Sequence, residues 1–104
     1  MRLVYLFAAI LVAGSGAAAQ DADIDAGAAY AEQVCSVCHA VLPNEQYSPL
    51  PEAPTFQSVA DTPGMTELAL SVFLQSSHPT MPNIVLEQDD MRNVVAYIRS
   101  LKTP

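Results

Sequence analysis

Residues 35–39 read CSVCH and hold both cysteines of the chain, three apart, with a histidine directly after the second. Two thiols one helical turn apart can close on each other, share a metal ion, or take up a group the chain does not encode, and each outcome demands a different fold around them. Export, charge and the pattern of the remaining residues decide among the three.

The chain begins with Arg2, an apolar run from Leu3 to Ala13 and a small-residue end in which Ala17 and Ala19 stand in an A-x-A arrangement. This predicts a secretory signal peptide over residues 1–19, cleaved before Gln20. The alternative, a retained anchor, is disfavoured because the run is shorter than the roughly 20 residues a spanning helix needs. The remaining 20–104 form one domain of a length that often needs a staple, a metal or a cofactor to complete its core. All eleven acids stay in it, against Arg92, Arg99 and Lys102, a net charge near −8. Such a surface repels nucleic acid and anionic lipid, so neither is an expected partner, and no stable membrane insertion is expected after cleavage. Export also puts Cys35 and Cys38 in an oxidising compartment, the periplasm, where a free dithiol does not persist unaided.

Asp25 is a candidate N-cap for a helix over 26–38, with Gly27, Tyr30, Ala31, Val34 and Cys35 at helical spacing. Residues 41–55 carry Pro43, Pro49, Pro51 and Pro54 without periodicity and read as an ordered loop wrapped over something. Thr55 can cap a short helical turn over 56–60. After Pro63 and Gly64, Thr66 can cap a helix that lines Leu70, Phe73 and Leu74 on one face and ends near Gln75. The last helix places Met91, Val94, Val95, Ile98 and Leu101 on one stripe, with Asp89 and Asp90 at its positive end and Arg99 and Lys102 at its negative end. Nothing alternates with period two for long enough to build a sheet, so the expected fold is all-α.

For zinc, Cys35, Cys38, His39 and His78 are formally four suitable ligands. Neighbouring residues on a helix point about 100° apart, however, so Cys38 and His39 rarely converge on one tetrahedral ion. A thioredoxin-like dithiol wants its first cysteine at the start of a helix, where the dipole lowers the thiol pKa; here both come at a helix end. Covalent attachment of one haem accounts for all five residues. The thiols of Cys35 and Cys38 add to its two vinyl groups, and His39 becomes an axial ligand of iron.

The second axial position can be offered Met65, Met81, Met91 or His78. Met91 belongs to an apolar stripe and reads as core. Met81 sits between Pro79 and Pro82 in HPTMPN, where two prolines stiffen the loop that would present a weakly binding thioether, and it is the preferred ligand. His78 is the stronger donor but reads as a surface or propionate-contacting histidine.

The segment with Gly27 eight residues before Cys35, CSVCH, HPTMPN and the final DMRNVVAYIRSLK together resemble a class I monohaem cytochrome c of the small bacterial type. The resemblance implies three to four helices around one covalently attached haem, with N- and C-terminal helices that cross where Gly27 packs against Tyr97. It also implies a loop proline whose carbonyl orients His39; Pro43, Pro49, Pro51 and Pro54 are all open candidates, because the family's Gly-Pro pair is missing. The lysine ring of mitochondrial-type members is absent too, which implies a basic partner or an apolar contact around the haem edge.

The implied function is electron transfer with His39 and Met81 on iron, between a donor and an acceptor such as a dehydrogenase subunit and a terminal oxidase. Two alternatives stand beside it: a haem subunit of a periplasmic dehydrogenase complex, and a five-coordinate haem protein that binds or senses a small gas. No set of acid, base and nucleophile surrounds a substrate pocket, so no enzyme activity of its own is expected.

Overall fold

A capping aspartate, two capping threonines and one long apolar stripe account for the four α-helices of the computed structural model, which describes residues 9–10, 21–76, 80–82 and 84–104. The expected signal peptide, apart from Ala9 and Ile10, lies outside the described residues, as do His78 and Pro79. In chain order come α1 (Ile24–Tyr30), α2 (Phe56–Asp61), α3 (Glu67–Gln75) and α4 (Gln88–Ser100). Among the described residues there is no strand, and the expected all-α class holds. No described helix is long and apolar enough to cross a membrane.

The start of α1 corrects the expected cap. Asp23, not Asp25, stands in extended backbone and accepts a 3.0 Å bond from the Ala26 amide on Oδ1, so the helix begins at Ile24. Asp25 falls in the first turn, where it still meets the positive end of the dipole. The far end differs as well: α1 passes into a π-helical turn over Ala31–Cys35, closed by a 2.9 Å bond from the Ser36 amide to the Ala31 carbonyl. The α-helix therefore stops at Tyr30, and helical structure of any kind at Cys35 rather than Cys38. Cys38 and His39 lie on the turn beyond, both donating their amides to the Cys35 carbonyl.

The two short helices start where expected, with Thr55 Oγ1 accepting from the Ser58 amide and Thr66 Oγ1 from the Ala69 amide, each at 3.1 Å. Gly64, at φ +79°, makes the turn between them. In α3, Leu70 is buried, whereas Phe73, expected on the same face, is 54 % exposed and borders a cleft. The stripe of α4 buries Val94, Val95 and Ile98, and Met91 and Leu101 pack half-buried at its two ends.

The first and last helices meet at Gly27. A Cβ there would lie 2.0 Å from the Asn93 carbonyl oxygen and 3.0 Å from Tyr97 Cβ, so only glycine lets the backbones touch. Asn93 Oδ1 also accepts from the Asp23 amide at 2.8 Å, and the buried Tyr97 hydroxyl donates to the Val41 carbonyl at 2.5 Å. The second bond pins the start of the proline-rich loop to α4.

Candidate functional site

The loop over residues 41–55 is folded back on the CSVCH turn, and backbone groups there show how. The Leu50 amide donates to the Cys38 carbonyl (3.1 Å), the Ala40 amide to Ser48 Oγ (3.0 Å), and the Phe56 amide to the Ala40 carbonyl (2.9 Å). With the turn held from both sides, His39 Nδ1 lies 2.6 Å from the Pro54 carbonyl oxygen. A proline carbonyl can only accept, so Nδ1 is the donor, and the neutral tautomer that makes this bond is the one with its lone pair on Nε2. Of the four candidate prolines, Pro54 is thus the one that orients the imidazole. Phe56, two residues further on, is buried with its ring centroid 5.4 Å from that of His39 at an angle of 51°, which limits rotation of the imidazole from a second side.

Beside this turn opens a cleft of about 570 Å³, within the range of about 300–1,000 Å³ usual for small-molecule and cofactor sites. Cys35, Cys38 and His39 contribute to one part of its wall. Phe56 and Val59 of α2, Leu70 and Leu74 of α3, and Val94 and Ile98 of α4 make it apolar, and Met81 and Pro82 border it from the last loop. The structure thus brings together every described residue expected at the site: Cys35, Cys38, His39 and Met81. Met65 lines the same cleft, whereas Met91 does not; it borders a neighbouring cavity of about 320 Å³ that Met81 shares. His78, the rival nitrogen ligand, lies outside the described residues.

The electrostatics of the thiols bear on their chemistry. Burial pushes the Cys35 thiol above its ordinary range, and it ends a helix, whereas reactive dithiols owe a lowered pKa to a helix start or a nearby cation. No disulfide joins Cys35 to Cys38. Among the described residues no group of three or more His, Cys, Asp or Glu side chains converges as a metal site. The cleft lining holds no carboxylate among the described residues; beside the two thiols and the His39 imidazole, its polar side chains are the hydroxyl residues Tyr30, Ser58 and Thr62. Tyr30 has its hydroxyl pKa raised, by burial first and then by Cys35 and Asp90.

Donor set and shape agree. Two thiols, an imidazole with a free Nε2 and a thioether border one apolar cleft, which is what a covalently held, flat, largely apolar macrocycle with a central iron requires of a protein. Spacing left Pro54 as one of four candidates and did not point to Phe56, nor to Gln57, which lies outside the cleft lining and joins α2 to the Leu101 carbonyl. The signal for the first two was present but ambiguous, a proline-threonine-aromatic sequence opening a capped helix after a loop that had to fold over something.

No family model, curated protein or solved structure matches this chain.

Proposed function

We propose that this protein is a periplasmic electron carrier of the class I cytochrome c type, with one haem held covalently by Cys35 and Cys38 and its iron bound by His39 and Met81. The observation that carries the reading is the 2.6 Å bond from His39 Nδ1 to Pro54, made at the edge of a cleft that both cysteines and Met81 also line. Haem, when bound, supplies a one-electron Fe(II)/Fe(III) couple.

The chain's own residues do the rest. Pro54 fixes which nitrogen of His39 is available and strengthens it as a donor. Phe56, Leu70, Val94 and Ile98 keep water away from the cofactor and lower the local dielectric, which favours the less charged ferrous state, as does a thioether ligand. A ring held by Pro54 and Phe56 has little freedom to reorganise when the electron count changes. The acidic surface, near −8 over residues 20–104, favours donors and acceptors with basic docking faces.

A redox titration with optical spectra, on protein made in a host that attaches haem covalently, tests the reading. A reversible low-spin couple is expected. In Met81→Ala, the charge-transfer band of thioether-ligated ferric iron should vanish and the midpoint potential should fall. A colourless product would end the haem reading; a coloured Met81→Ala with unchanged spectrum and potential would remove Met81 as ligand and raise the sensing alternative.

A further inference from the structure

The Gln57 side chain ties together three separated stretches of the chain. Its Oε1 accepts from the Asn44 amide at 3.1 Å, and its Nε2 donates to the Leu101 carbonyl at 2.6 Å and to Asp61 Oδ2 at 3.0 Å. Asn44 N–H can only donate and the Leu101 carbonyl only accept, so the amide has one orientation that satisfies both. Asp61, one turn along α2, completes the connection: its carboxylate accepts from the Thr103 amide at 2.7 Å and the Thr103 hydroxyl at 3.1 Å. Asn44 itself sits at φ +61°, a conformation asparagine tolerates, within the loop that runs toward Pro54.

These bonds matter because α2 has six residues, too few to hold itself in place by helix formation alone. Its N-terminal end carries the functional geometry: Pro54 and Phe56, which hold His39, flank its cap Thr55. Its other anchors are the buried Phe56 and Ala60 and the Phe56 amide bond to Ala40. Gln57 adds the only direct side-chain bonds, among the described residues, that fix α2 at once to the proline-rich loop and to the last residues of the chain.

We infer that Gln57, with Asp61, is a positioning residue for His39: by fixing α2 against the loop and the chain end, it sets how firmly the Pro54 carbonyl holds the Nδ1 proton. The inference rests on the proposed haem ligation by His39. A looser bond at Nδ1 makes the imidazole a poorer donor to iron and so favours the ferrous state.

The test uses the haem-loaded protein and compares Gln57→Ala with Val95→Ala, which removes buried methyl groups from α4 at a residue that does not line the cleft. Two quantities are read: exchange of the His39 Nδ1 proton with solvent by NMR, and the midpoint potential. Gln57→Ala should speed exchange roughly tenfold, as loss of about one hydrogen bond's restraint implies, and raise the potential. Val95→Ala should lower the unfolding midpoint while leaving the potential in place. Equal effects of the two variants on both quantities, or no change in Gln57→Ala, would overturn the inference and leave the haem reading intact. If Gln57→Ala fails to fold, Asp61→Asn, which weakens only one end of the connection, is read against the same two outcomes. A colourless wild-type product would remove the haem reading and this inference with it.

Discussion

At the scale of single residues, Gly27 shows how little space the fold leaves where its ends meet. With a Cβ placed 2.0 Å from the Asn93 carbonyl, which is backbone and cannot swing aside, Gly27→Ala must push α1 off α4. The expected cost is more than about 3 kcal/mol, at the upper end for overpacked sites, measured as a shift of the denaturant midpoint of the haem-loaded protein. Full retention of the midpoint would mean the two helices do not approach as described. Asp61 supplies the pH dependence. The Thr103 amide, then Gln57, hold its carboxyl below the usual carboxylate range. A depressed folded pKa stabilises above the unfolded value, so this contribution is present at neutral pH and lost as pH falls through the folded value. Unfolding followed from neutral to about pH 2 should show a shallower acid limb in Asp61→Asn than in wild type. Superimposable acid limbs would count against the carboxylate as anchor of the chain end.

At the scale of elements, local signals were sufficient wherever a helix is governed by its own first turn. Thr55 and Thr66 cap as their spacing implies, and Thr66→Ala should cost about 1 kcal/mol, read as a lower thermal midpoint with an unchanged optical spectrum. A change in the spectrum instead would show that α3 bears directly on the cleft's contents. Two elements departed from local reading. With Asp23 and Asp25 two residues apart, either could cap on propensity; contact decides, because the Asp23 amide is itself held by Asn93 of α4, seventy residues away. The π turn at Ala31–Cys35 leaves no mark in composition, yet it ends the helix early and puts Cys38 and His39 on a turn that the loop can grip. Phe73 follows the same logic: helical spacing puts it near Leu70, but only the position of the cleft makes its exposure intelligible.

At the scale of the whole molecule, a cleft of about 570 Å³ opens into the apolar packing of the helices, so that Phe56, Leu70, Val94 and Ile98 serve both as core and as its wall. Its walls come from all four helices and from the loop carrying Met81, so no subset of the chain can close it. If the proposed haem fills this cleft, protein made without it is expected to be largely unfolded or molten, with rapid proteolysis and little fixed near-ultraviolet dichroism. A cooperative unfolding transition in that material would show that helix packing around Val94 and Val95 suffices alone.

What the sequence by itself offered is the candidate residues and the places where α2 and α3 begin: CSVCH, the proline-bracketed Met81, the threonine caps, and the stripe of α4, all of them patterns within a few residues. It also paired Gly27 with Tyr97, through the family resemblance. Only the tertiary structure decided that Pro54 rather than Pro43, Pro49 or Pro51 faces His39, that Met65 shares the cleft while Met91 does not, and that Gln57 spans to Leu101. The reason is separation along the chain. The bonds concerned join residues 15 and 44 positions apart, and at such distances a side chain's partner is set by how helices and loop pack together, which spacing does not encode.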